Sequence, residues 1–308
     1  MKIILSGGSG FIGKALVEHF KKGGHQIVLL TRNPSSLHPL AGNGIHIEVW
    51  DGRQRGPWAQ HVNGADIIIN LAGERLVSQR WTEKQKYKIL RSRIEATQAL
   101  VEAVEHSSTK PTLFINASAI GYYGPLSKET ATEDFPKGEG YVADVCELWE
   151  QEAHPVERWG VRLVLLRLGG VLGKSDGWLK KMLPSFQYFL GGALGSGRQW
   201  LSWIHLEDVV KSVQFIIEHH DLDGPINLTT PYPVTMNECA KTLGRILHRP
   251  SCFKVPGFIL KLALGEMSEI ILTGQKVLPQ KLLNHGYSFS YPQLEPALIH
   301  ILKDPPLK

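Results

Sequence analysis

The 308-residue chain is 43% hydrophobic and 20% charged, with a formal net charge of +5, which is ample for one or two domains with a large core. No apolar stretch approaches the length of a membrane span, and no low-complexity segment or solenoid repeat interrupts the chain. Three widely separated cysteines, Cys146, Cys239 and Cys252, argue against a disulfide framework and for a reducing compartment.

Met1-Lys2 leads straight into the apolar run Ile3-Ile4-Leu5, which leaves no room for a targeting segment and implies a cytoplasmic location. Gly7-Gly8-Ser9-Gly10-Phe11-Ile12-Gly13 follows, then Leu16-Val17 and Phe20 at helical spacing, then a second apolar run from Ile27 to Leu30. Strand, glycine-rich turn, helix and strand in about thirty residues is the context of a dinucleotide fingerprint. Gly7 takes the tight turn, Gly10 admits a pyrophosphate close to the backbone, and Gly13 lets helix and strand pack closely. Ser9, Phe11 and Ile12 complete the loop, and the helix-start amides face the phosphates with the positive end of the dipole.

The second strand ends Thr31-Arg32-Asn33-Pro34, with no acidic residue. A carboxylate there would repel a ribose 2′-phosphate, whereas a guanidinium binds it through two parallel, charge-assisted hydrogen bonds. Ser35 and Ser36 add hydroxyl donors. With Thr31 and Arg32 at the ribose, the implied cofactor is NADP(H).

Residues 45–49 predict a third strand, followed by Trp50-Asp51-Gly52. Residues 65–70 predict a buried strand running into the small-residue turn Leu71-Ala72-Gly73. Residues 82–105 predict a long helix carrying the one dense basic cluster, Lys84, Lys86, Lys88, Arg91 and Arg93, diluted by Glu83 and Glu95. That cluster lacks a recognition motif, so no nucleic-acid partner is expected. A strand at 112–117, a helix at 142–158 and a strand at 162–167 follow. Apolar strands separated by helices imply a parallel sheet covered on both faces. From about residue 174 the chain turns loop-rich and aromatic, with Trp178, Trp200 and Trp203. The expected fold is α/β, a Rossmann-type doubly wound parallel sheet. Residues 1–173 form the NADP-binding domain, completed by about 205–230. Residues 174–204 and 231–308 form a smaller substrate-side portion over the carboxyl edge of the sheet.

Several strings together resemble an extended-type short-chain dehydrogenase/reductase, the group that includes nucleotide-sugar epimerases and dehydratases. Gly7, Gly10 and Gly13 match its cofactor loop, and Asp51 stands where the family contacts adenine. Asn70-Leu71-Ala72-Gly73 matches the turn beside the cofactor, and residues 118–124 resemble the strand end with the catalytic serine, here Ser118. Residues 167–173 resemble the segment entering the substrate domain, and residues 203–210 a late helix start. The resemblance runs from residue 1 to about 300.

The chain departs from that group at its chemistry. The family's Tyr-x-x-x-Lys pair, in which the lysine lowers the tyrosine pKa, is replaced by Val142 and Cys146. Tyr141 stands one residue out of register, about 100° around a helix. Arg93 occupies the place of a family asparagine. This pattern is similar to an atypical epimerase-like subfamily, sometimes named as cell-division inhibitors, with a C-terminal extension of unknown function. Leu243, Arg249-Pro250, Val255-Pro256, residues 274–280, Gly286-Tyr287 and Tyr291-Pro292 resemble that extension.

The candidate catalytic residues are therefore Ser118, Tyr122, Tyr141 and Arg93, with Tyr123 a further tyrosine at the same place. Cys146 reads as a small buried hydrophobe rather than a nucleophile. Gly195 to Trp200, with Trp203, offer close backbone approach and aromatic faces for a flat or sugar-like substrate. His205 faces either substrate or core. Glu218-His219-His220-Asp221 reads as a solvated helix end, and no metal site is expected. The reading is an NADP(H)-dependent oxidoreductase or nucleotide-sugar-epimerase-like enzyme with a rearranged acid–base apparatus. Its partner is a small molecule, sugar-like or a carbonyl compound, and the chain acts as a monomer or homodimer away from membranes. The alternative is an NADP(H)-binding regulatory or sensor protein without turnover.

Overall fold

The structure, a computed structural model, describes residues 1–42 and 44–303. Among them, seven strands form one parallel sheet: β1 (Lys2–Ser6), β2 (Gln26–Thr31), β3 (Ile45–Val49), β4 (Ile67–Asn70), β5 (Leu113–Ala119), β6 (Arg162–Leu168) and β7 (Gly224–Leu228). Their spatial order is β7-β6-β5-β4-β1-β2-β3. The order reverses between β1 and β4, which opens a crevice at the carboxyl ends of those two strands.

The strands are continuous apolar runs because both faces of the sheet are covered. Alternate residues serve opposite cores. Ile3, Leu5, Ile27, Leu29, Ile67 and Ile69 meet the helix α1 (Phe11–Lys22) through Leu16, Val17 and Phe20. Ile4, Val28, Leu30, Ile68 and Phe114 meet α2 (Glu83–His106) through Ala96, Leu100 and Val104. The same face carries α3 (Tyr141–Ala153), which packs beside α2. The helix expected over 142–158 stops at Ala153, and residues 154–159 tighten into a 3-10 turn. Pro155 has no N–H to continue the α ladder, although His154 before it keeps α-region backbone angles.

After a helix α4 (Trp178–Gln187), α5 (Leu206–Glu218) returns to the α1 side, where Val209, Val213 and Ile216 join the first core. A third core collects Leu179 and Phe186 of α4, Met236, Cys239 and Leu243 of α6 (Met236–Leu247), and Leu294 and Leu298 of the helix Leu294–Lys303. Trp203 is 1% exposed inside that core. Its expected role as a stacking face for substrate is thereby corrected, because both ring faces are covered.

Candidate functional site

The turn after β1 and the turn after β4 meet in the crevice. Gly7 has φ +74°, and a methyl group on it would sit 2.7 Å from the Leu71 carbonyl oxygen. Gly13 is tighter still: a methyl there would lie 2.2 Å from the Gly7 carbonyl oxygen. Only glycine permits α1 to start this close to the end of β1. Gly10 caps α1 without a side chain, so the amides of the first helical turn are left for a ligand and face it with the positive end of the helix dipole. Ser9 is exposed, Ile12 leans on the α1-side core, and Phe11 packs where Gly173 comes closest. This cradle of glycine turn and uncapped helix start fits a pyrophosphate.

At the end of β2, Thr31 is 8% exposed and holds the amide of Asn33 on its hydroxyl. Arg32 is exposed, and Ser35 bonds Asn33; the side chain of Ser36 lies outside the described residues. Asp51 is exposed after β3, where its carboxylate accepts the amides of Arg53 and Gln54 at 2.8 and 3.2 Å and shapes the loop. On the opposite side, Leu71 and Ala72 are half-buried and Gly73 is exposed.

Beneath the crevice lies a polar network that no single segment announced. Asn70, fully buried, accepts the Ser6 hydroxyl and donates to Thr97 and Asn116, at 2.6, 3.0 and 2.7 Å. Trp149 of α3 donates to the same Thr97. One layer on, Ser118 is 2% exposed and donates to Glu150 at 2.6 Å. Glu150 in turn accepts Arg167 at both oxygens, 2.9 and 2.8 Å. Burial opposes the Arg167 charge, but the Glu150 carboxylate outweighs it and holds the guanidinium protonated well above its usual range. Arg167 also donates to the Tyr123 hydroxyl, which donates to Asn227. Burial pushes that phenol up to about 12 despite the guanidinium. Sequence reasoning missed Glu150, Arg167 and Asn116; a charged residue closing the apolar run of β6 was the available signal.

The other tyrosines take different positions. Tyr141 opens α3 and donates to the Lys86 carbonyl at 2.7 Å, turned away from Ser118 and toward α2. Burial raises its pKa, only partly opposed by Arg93 and Lys86. Tyr122 is half-buried, with the Arg167 guanidinium 3.5 Å from its ring centroid, and its hydroxyl has no hydrogen-bond partner among the described residues. Arg93 is 8% exposed, between Gly73 and the Trp149 ring, and donates to the carbonyls of Glu74 and Ile89 at 2.9 Å each. Burial pulls its pKa down. It clamps the turn after β4 onto α2. Cys146 is 2% exposed, and burial, with Glu150 adding to it, pushes the thiol up to about 11. It is a packed thiol beside Gly121, with no thiolate to use.

Remaining sequence candidates are structural in place. His219 donates to the Phe215 carbonyl at the end of α5 and stacks on that ring. His205 caps α5 by accepting the Glu207 amide. Gln199 ties the 195–200 loop to the carbonyls of Leu194 and Ile271, and Trp200 receives Lys276 on its face.

The profile of the NAD dependent epimerase/dehydratase family matches residues 3–228, and a domain of unknown function, DUF1731, matches residues 255–301. The epimerase family protein YfhF of Bacillus subtilis is 39% identical over 305 residues, covering 99% of each chain. The chloroplastic SDR39U1 homologue of Arabidopsis thaliana is 38% identical over 98% of this chain and 87% of that protein. Among solved structures, human epimerase family protein SDR39U1 with NADPH superposes with a TM-score of 0.87 at 30% identity, covering 99% of this chain and 100% of that one. UDP-glucose 4-epimerase from Thermotoga maritima, at 16% identity and a TM-score of 0.79, shares the fold. No helix among the described residues is long and apolar enough to cross a membrane. The chain belongs to the NAD dependent epimerase/dehydratase family, in the atypical branch with the DUF1731 extension.

Proposed function

We propose that the protein is an NADP(H)-dependent oxidoreductase or epimerase-like enzyme acting on a small carbonyl or sugar-like molecule, with Tyr122 as its proton carrier. The observation that carries this reading is the Tyr122 hydroxyl. Among Tyr122, Tyr123 and Tyr141 it alone is uncommitted, at the end of the strand that bears Ser118. The crystallised NADPH complex of the human relative supports the cofactor. In this reading Gly7, Ser9, Gly10, Phe11, Ile12 and Gly13 hold the pyrophosphate, Thr31 and Arg32 the 2′-phosphate, Asp51 the adenine end, and Leu71, Ala72 and Gly73 the nicotinamide side.

When bound, the cofactor supplies a hydride to a carbonyl carbon, or accepts one from an alcohol carbon. Tyr122 gives the proton that the carbonyl oxygen takes up, or receives it in reverse. Ser118 acts through position: its hydroxyl donates to the Glu150 carboxylate, and with Arg167 it fixes the strand end that leads into Tyr122. Arg93 holds the turn beside the nicotinamide. The test follows nicotinamide absorbance with NADPH against a panel of carbonyl compounds and with NADP+ against nucleotide sugars, with chromatography of the sugar products to detect epimerisation without net cofactor change. Tyr122→Phe is expected to abolish turnover with NADPH affinity unchanged.

The sensor reading also has a specific observation in its favour. Cys146 replaces the activating lysine, and Ser118, Tyr123 and Tyr141 are all engaged with protein groups. Tight NADPH binding with no turnover on any compound, and no effect of Tyr122→Phe, would establish it instead.

A further inference from the structure

Far along the sheet from Ser118, the edge strand β3 breaks its apolar pattern. Ile45 and Ile47 face the core on the α1 side, so His46 and Glu48 share the opposite face. The 3-10 turn Pro57–Val62 covers that face by burying Trp58 and Val62. It carries His61 between them and brings its ring to Glu48. Nε2 of His46 and Nε2 of His61 each lie 2.8 Å from the same oxygen, Oε1 of Glu48. The three donor atoms all lie within 4.8 Å of one another. Burial works against the Glu48 charge, yet the hydrogen bonds from the two imidazoles hold its carboxyl below the usual range.

We propose that His46, Glu48 and His61 bind one divalent transition-metal ion of the zinc class, clipping the edge strand to the 57–62 turn. Two imidazole nitrogens and one carboxylate oxygen, with a fourth position open to water, is a zinc ligand set. Tetrahedral zinc with ligand bonds of about 2.0–2.2 Å spaces its donors roughly 3.3 Å apart, so each of the two carboxylate–imidazole separations of 2.8 Å has to open by about half an ångström. Nitrogen donors select against calcium and magnesium, and the affinity order favours copper, nickel and cobalt alongside zinc. Glu48 has no lysine or arginine partner among the described ion pairs, so nothing cationic has to leave.

A second trio, His205, Glu207 and His300, also lies within 4.8 Å, but its chemistry is different. His205 accepts the Glu207 amide on Nδ1, which puts its proton on Nε2, the atom 3.2 Å from His300. Glu207 is paired with Lys211 at 2.6 Å. A metal there would have to break both a helix cap and an ion pair.

The test titrates the chelator-stripped full chain with Zn2+ by calorimetry and with Co2+ by its visible absorption. One equivalent is expected to bind at micromolar concentration or below, with the absorption of a four-coordinate cobalt site. Glu48→Gln, which is close to isosteric, and His61→Ala should each weaken binding at least about tenfold, while His300→Ala should leave it unchanged. No binding of either ion, binding that survives Glu48→Gln and His61→Ala, or binding lost in His300→Ala would each overturn the proposal.

Discussion

At the scale of residues, the proposed function rests the cofactor preference on Arg32. It is exposed at the end of β2 with no acid in the Thr31–Pro34 turn, so Arg32→Ala should lower NADPH affinity by about ten- to a hundredfold, the equivalent of roughly 1.5–3 kcal/mol for a charge-assisted contact. NADH affinity should stay nearly the same, and calorimetry on both cofactors reads the difference. Glu150 carries a different load. Glu150→Gln leaves the Arg167 guanidinium, 4% exposed, without its carboxylate, and breaking a buried pair from one side costs about 3–5 kcal/mol. Ser118→Ala removes one donor from that carboxylate and should cost less, about 1.5–3 kcal/mol. Urea unfolding of the two variants should preserve that order; a neutral Glu150→Gln would contradict the network. This network was hidden in the sequence for a physical reason. Ser118 and Arg167 are register partners across β5 and β6, and Glu150 reaches them from α3. Their meeting is decided by strand pairing, which no segment of sequence contains. The glycine turn was legible because the strand, turn and helix start that define it are consecutive in the chain, even though the Leu71 carbonyl that also crowds Gly7 comes from the turn after β4.

At the scale of elements, α1 is placed by two glycines rather than by its own apolar stripe. Gly13→Ala forces a methyl against the Gly7 carbonyl oxygen, a backbone atom that has no rotamer to escape into. The helix must shift outward, so thermal stability and NADPH affinity should fall together. α5 responds to pH. Burial, with His300 adding to it, lowers the His205 pKa to about 4, Glu207 opposing and Lys211 assisting. The folded state prefers the neutral ring, so this contribution is complete above about pH 6.5 and is lost as pH falls toward 4. The loss amounts to about 3 kcal/mol at most. His205→Asn keeps a side-chain cap and should flatten the urea stability profile across that window. Although the end of α3 was expected at residue 158, past Pro155 and beyond Ala153, the start of α2 was legible to within one residue. The inward turn of Trp203 was not, because an aromatic residue in a loop reads the same whether it lines a cleft or fills a core.

At the scale of the whole molecule, the basic stretch on α2, apart from the exposed Lys84, is spent internally. Lys86 pairs with Glu83 and Glu266, Lys88 with Glu74, Arg91 with Glu95, and Arg93 is buried. Titration with labelled duplex DNA or RNA at physiological salt should therefore show only weak attraction without a steep salt slope; sub-micromolar binding would contradict this. The strand order has a further consequence, in time rather than space. β1, β2, β3 and β4 are adjacent in the sheet and are complete by Asn70, so half of the sheet and both turns of the crevice leave the ribosome early and can pair at once. β7 joins β6 only after Leu228 has been made, and until then β6 presents an unpaired apolar edge. Domains emerging at a few to tens of residues per second expose such edges to neighbouring chains. The nascent chain is thus most prone to aggregation after its nucleotide half is built and before its last strand arrives.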